Sequence, residues 1–360
     1  METIVDQDPG EAQTKPTGEA DISSSSEDSP LNVFESVPED KPSVNRYPGL
    51  GLKGNFRRFW SVIALLTYIA GLGSGYLLWG KQDTAKASNP DQADHGSRTE
   101  MEAIAAQINP EDGYKIPATY GEIGPRLLEA GAIDLEKFLN VYQEMGRPLS
   151  KEQLAILTEG SSEPIVINLD NQHFLLNLFW AFGLANQNQV LTEGPMMRNG
   201  REGVVNFAST GGWTLSVKPI EELYASTPII SLTEEQQKRL EEVAQGVYRP
   251  CCDNPTHFPD CNHGMAMLGL LELMAFQGAS IDEMFQAAKY VNAFWFPQQT
   301  LEVAVAFKAA ENLDFEQTDA RLVVGQSMSS SSGFKAVHQW LAQNGILEQS
   351  PQSGGSCGVK

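Results

Sequence analysis

Asp260-Cys-Asn-His-Gly-Met-Ala-Met-Leu-Gly-Leu-Leu-Glu-Leu-Met-Ala-Phe-Gln-Gly278 runs directly into Ala279-Ser-Ile-Asp-Glu283. Between Met265 and Phe276 a single charge, Glu272, interrupts an otherwise apolar segment. Its length and its flanks read as a helix. Asp260 is an expected N-cap, because a short carboxylate accepts from the unpaired amides of a first turn. The helix is expected to run to about Gln277, with Gly278 as its C′ residue. Ser280-Ile-Asp-Glu283 is then a capping box, opening a second helix that runs to about Phe296 and stops at Pro297.

The same signals recur on both sides. Thr233-Glu-Glu-Gln236 predicts a charged surface helix to about Tyr248, and Asp134-Leu-Glu-Lys137 one ending near Met145 with Gly146 behind it. Ser150 caps a short helix through about Leu157. Asp170 or Asn171 caps the segment Phe174–Leu184, which is apolar on nearly every side and therefore central. On that segment His173 and Asn177 share one face, as a satisfied polar pair or as part of a site. Further helices are expected over Thr300–Glu311 and Phe334–Asn344. No long stretch alternates as a half-buried strand does. Ile165–Leu169 and Val204–Phe207 are short enough to be minor strands, and Asn206–Thr214 reads as a structured loop. Residues 101–347 are thus expected to form an all-α, mostly helical globular domain, with minor short strands at most.

Just before the apolar helix lies Tyr248-Arg-Pro-Cys-Cys-Asp-Asn-Pro-Thr-His-Phe-Pro-Asp-Cys-Asn-His-Gly-Met265. It carries three of the chain's four cysteines and two of its five histidines. Pro250, Pro255 and Pro259 stiffen it against helix formation. Cys261, at a helix start, is expected to have a stabilised thiolate. Cys251, Cys252, Cys261 and His263 make a Cys3His set suited to zinc. Adding His257 and Met265 gives a softer mixture suited to copper. Iron fits less well, since the spacing matches no ferredoxin run and no haem attachment motif. On a regular helix Cys261 and His263 point nearly opposite ways, so both reach one ion only if the first turn is irregular.

Three functions follow from this segment. The first is a transition-metal centre for metal handling or electron transfer. The second is a thiol-dependent enzyme using Cys261, with His257 or His263 and the lone Glu272 as further candidates. The third is a helical interaction module in which Cys261 is joined to Cys251 or Cys252 by a structural disulfide, as an oxidising compartment permits. The fourth cysteine, Cys357, sits in a Gly/Ser-rich tail (348–360) from which it could serve as a resolving thiol or an extra ligand. No P-loop, Rossmann glycine fingerprint, H-E-x-x-H motif or nucleophile elbow occurs.

The first hundred residues read differently. Residues 1–50 are polar and low in apolar content, a composition that stays disordered. Residues 1–40 hold eleven acids and only Lys15. Residues 41–58 hold five basic residues and no acid. Phe59–Trp79 is then 21 residues without a charge, flanked by Trp60 and Trp79, which suffices for the ~30 Å hydrocarbon core of a bilayer. The basic segment 51–58 places the arm in the cytoplasm and the helical domain outside, with 80–100 as a polar linker. A signal anchor is expected, although Ala85-Lys-Ala87 has the form of a cleavage site. Gly71 and Gly75 form a G-x-x-x-G that would let two such helices pair as a homodimer. The net charge is −21, which excludes nucleic acid as a partner and leaves the membrane and other proteins.

Overall fold

The structure is a computed structural model, and it describes residues 100–347. The expected membrane segment Phe59–Trp79, with Gly71 and Gly75, the cytoplasmic arm, most of the linker, and the tail with Cys357 lie outside the described residues. Among the described residues no helix is long and apolar enough to cross a membrane.

Helices dominate. In chain order they are α1 (residues 100–108), α2 (Ile123–Glu129), α3 (Leu135–Glu144), α4 (Lys151–Thr158), α5 (Gln172–Ala185), α6 (Glu234–Gly246), α7 (Asn262–Phe276), α8 (Ile281–Trp295), α9 (Pro297–Glu311) and α10 (Ser331–Gln343). Several single turns fill the connections. Two strands, β1 (Tyr114–Gly121) and β2 (Ser161–Ile167), form one antiparallel ribbon.

Local chemistry accounts for most of the starts. Ser150, Thr233 and Ser280 each accept from the amide three residues on, and Gln153, Gln236 and Glu283 reach back to complete the capping boxes. Asp134 caps α3 in the same way.

Other boundaries differ from the sequence expectation. α9 begins at Pro297 rather than Thr300, because proline's missing N–H and fixed φ suit the first helical position. α10 begins at Ser331 rather than Phe334, capped by Ser330 through the Gly333 amide. Val204–Phe207 is no strand: Arg201–Asn206 is a 3-10 turn. The strand expected at Ile165 is real, and its partner β1 went unread. Ile116, Ala118 and Tyr120 of β1 do alternate inward, but Pro117 interrupts the pattern. In a two-stranded ribbon both strands are edges, so Pro117 and Pro164 are tolerated.

α5 and α7 form the centre. Nine of fourteen residues of α5 are buried, as is every residue of α7 from Gly264 to Ala275. The two helices cross backbone to backbone. A Cβ on Gly183 would stand 2.3 Å from the Met265 carbonyl, and one on Gly269 would stand 2.5 Å from the Phe179 carbonyl. Only glycine permits this approach. A second, smaller core joins α1, α8, α9 and α10 around Tyr290, Val303, Phe307 and Phe315. The α5–α7 crossing fixes the first turn of α7, and with it Cys261.

Candidate metal centre

α6 ends at Gly246, and residues 247–261 form the loop that leads into α7. The loop is pinned on every side. The Tyr248 amide donates to the Val324 carbonyl (2.8 Å), and Asn292 Nδ2 donates to the Tyr248 carbonyl (2.8 Å). The Thr256 amide donates to Val247 (2.8 Å) and the His257 amide to Ala244 (2.9 Å). The start of α10 also sits on the loop: the Ser331 amide donates to the Cys252 carbonyl (3.0 Å), and the Ser332 amide to Asp253 Oδ1 (2.7 Å).

At its centre is Arg249, 1% exposed. Nη2 pairs with Asp260 Oδ1 at 2.7 Å, Nη1 donates to the Asn254 carbonyl at 2.8 Å, and Nε donates to Cys261 Sγ at 3.1 Å. Asp260 Oδ2 accepts from Asn254 Nδ2 at 2.8 Å, so both of its oxygens are engaged. The guanidinium lies flat against Gly264, where a Cβ would come within 2.3 Å of Nη2.

Asp260 is therefore not the N-cap of α7. Arg249 has claimed its carboxylate, and the cap is Cys261, whose sulfur accepts from the Gly264 amide at 3.3 Å.

The ligand atoms of Cys251, Cys252 and Cys261 lie within 4.8 Å of one another. Cys251 Sγ and Cys261 Sγ are 3.3 Å apart, and Cys252 Sγ is 3.4 Å from Asp260 Oδ1. All three thiols are free and half-buried. The contact at 3.3 Å is well beyond the ~2.05 Å of a disulfide. The Cys261 thiol is held well below its ordinary range, first by the neighbouring thiols of Cys251 and Cys252, then by the Arg249 charge. Cys251 is pushed up by hydrogen bonding with Cys252 and Cys261 and by burial. Of the three thiols, Cys261 is the one whose thiolate its neighbours favour most.

The structure brings together three of the four expected Cys3His ligands. His263 is not among them. Its ring packs on Phe296 (centroids 4.5 Å) and Trp295 (5.8 Å), and burial there lowers its pKa to about 4. His257 is half-buried outside the thiol group, and Met265 is fully buried in the core. Glu272 is fully buried and accepts from Asn186 Nδ2 at 2.7 Å. Eleven residues along α7 put it roughly 16 Å from Cys261, too far to act on the sulfur. His173 and Asn177 are tied to one tyrosine: Asn177 Nδ2 donates to Tyr142 Oη (2.9 Å), which donates to the His173 carbonyl (3.0 Å). Sequence reasoning assigned no role to Arg249, Asn254 or Gly264, since their partnership exists only once the loop is folded.

The sulfurs lie close enough to share one ion, Cys251 and Cys261 at 3.3 Å and all three within 4.8 Å. At a metal–sulfur distance of about 2.3 Å, ligands on a single centre stand about 3.8 Å apart if tetrahedral and about 4.0 Å if trigonal. Cysteines spread over an iron–sulfur cluster bind different irons and sit further apart. Compared with models of known protein families, with curated proteins and with solved structures, the chain matches none.

Proposed function

We propose that this chain is a membrane-anchored metal-handling protein whose helical domain, outside the cytoplasm, holds one transition-metal ion on Cys251, Cys252 and Cys261. The observation that carries the reading is the convergence of three thiols within 4.8 Å on a loop braced by a buried arginine. The uncharged stretch Phe59–Trp79 and the basic residues before it support the anchor and its orientation. Handling fits better than electron transfer, because electron-transfer copper sites are built on two imidazoles and a thiolate, and no imidazole joins this group. A structural role is less apt, as the α5–α7 core needs no staple.

Elemental analysis of the full-length protein, purified in mild detergent under reducing conditions, tests the reading. A stoichiometric transition metal that Cys261→Ser abolishes supports it. The 3.3 Å contact between Cys251 and Cys261 favours one competing function, thiol redox chemistry in which Cys261 attacks and Cys251 resolves. Absence of metal, with an oxidised Cys251–Cys261 pair in the protein as isolated, would select that function instead.

A further inference from the structure

Resting on the metal reading above, we infer that the three-sulfur site is built for a soft monovalent ion, Cu(I), held in three-coordinate fashion without a fourth protein ligand. Three observations point there. The donor set is sulfur alone, and thiolates favour soft ions. The donors that would complete a four-coordinate site are occupied or turned away: Asp260 is bound through both oxygens by Arg249 and Asn254, and the His263 ring lies against Phe296. Protein zinc sites that serve structure are closed by four residues, whereas Cu(I) is satisfied by three sulfurs. Finally, the Arg249 guanidinium stands 3.1 Å from Cys261 Sγ. Coulomb repulsion scales with charge, so it opposes a dication about twice as strongly as a monocation. The same guanidinium and the Gly264 amide offset the negative charge that three thiolates leave on a monovalent centre.

The binding step balances without electron transfer. The three cysteines bind as thiolates, and each that carries a proton releases it to solvent as its sulfur–copper bond forms; Arg249 and the Gly264 amide face the Cys261 sulfur. The thiols are only partly buried, and a second soft donor that reached them would take the cargo over by ligand exchange.

The test uses the reduced full-length chain in non-ionic detergent under argon. It is titrated with Cu(I) against the chromophoric chelator bathocuproine disulfonate, and in parallel with Zn²⁺ and with Co²⁺ as the optical reporter of a zinc site. The expected result is one Cu(I) per chain retained against the chelator, not displaced by a hundredfold excess of Zn²⁺. X-ray absorption should show sulfur scatterers only, and Cys357→Ser should behave as the unaltered chain. Cys261→Ser should lose retention while keeping its fold, because serine is itself a good N-cap for α7. Its circular dichroism and melting curve check this.

A tetrahedral Co²⁺ spectrum with Zn²⁺ preferred over Cu(I) would overturn the inference and leave the metal reading standing. The same spectrum lost in Cys357→Ser would identify the tail thiol as the fourth ligand, with the same consequence. If neither Cu(I) nor Zn²⁺ nor Co²⁺ binds stoichiometrically, both fall.

Discussion

Replacing Glu272 by glutamine should raise the stability of the folded domain, and the gain should grow with pH. Glu272 is fully buried in α7. Its Oε2 accepts from Asn186 Nδ2 at 2.7 Å, while Oε1 is buried without a partner. Burial therefore holds the carboxyl well above its ordinary 4.5 and keeps it protonated in the folded state. In the unfolded chain the same group ionises near its ordinary value. Above that value the folded state binds one proton more than the unfolded state, so stability falls as pH rises, until the folded carboxyl itself ionises. The slope for one proton is at most about 1.4 kcal/mol per pH unit, which comes to at most about 2.5 kcal/mol between pH 5 and pH 7. Glutamine keeps an oxygen for Asn186 and removes the titration. Its amide inherits the unpartnered place of Oε1, a roughly constant offset of about 1 kcal/mol. The assay is urea unfolding of both proteins in mild detergent with reductant and chelator at pH 5, 6 and 7. The difference between them should widen with pH in favour of Glu272→Gln. Parallel curves over this range would mean that Glu272 titrates as an exposed carboxyl does, and would refute its burial against Asn186.

Three further substitutions probe the loop and the crossing that carries it. Arg249→Met removes a buried cation bonded to Asp260, Asn254 and Cys261. It should cost about 3–5 kcal/mol in urea unfolding and move the pH profile of Cys261 alkylation upward, and an unchanged profile would count against the guanidinium–thiolate contact. Gly264→Ala places a methyl 2.3 Å from Arg249 Nη2. It should cost about 1–3 kcal/mol and weaken metal retention at the same time, since the guanidinium must swing off Cys261. Gly269→Ala puts a methyl 2.5 Å from the Phe179 carbonyl, at the α5–α7 crossing. It should lower the melting temperature by several degrees or more, and an unchanged melting curve would show that the two backbones are not in contact there.

What was legible in the sequence was local. The capping boxes at Ser150, Thr233 and Ser280 need only residues within one turn, and they form where their sequence signature lies. The thiol cluster was legible because its three cysteines fall within eleven residues, close enough for a proline-stiffened loop to gather them. Elements and partners set by distant contacts were not. Strand β1 carries Pro117, which argues against a strand unless one knows that it pairs only with β2. Asp260 and Cys261 are adjacent and either can cap a helix, and the choice falls to Arg249, which takes both the Asp260 carboxylate and a hydrogen bond to the Cys261 sulfur. The packing of His263 against Trp295 and Phe296 depends on α8 and was not legible in the loop itself.

The helix starts themselves argue that the cluster is kept for chemistry rather than for the fold. Elsewhere α3, α4, α6, α8 and α10 are capped by serine, threonine or aspartate, whose oxygens bind first-turn amides well, while α5 and α9 start without a side-chain cap. At α7, the most buried helix of all, the cap is not an oxygen but a sulfur, which accepts from the Gly264 amide at 3.3 Å. Beside it an arginine is buried to 1% exposure against Asp260, a pair that apolar residues in place of both partners would replace at little or no cost to stability, unlike loss of one partner alone. Gly264 is held free of any side chain so that this arginine fits. Three locally unfavourable choices meet around one sulfur. Departures of that kind gather at functional sites. A loop selected only to join α6 to α7 would need neither the buried cation nor the sulfur cap, whereas a loop that must hold three thiols together beside an arginine uses both.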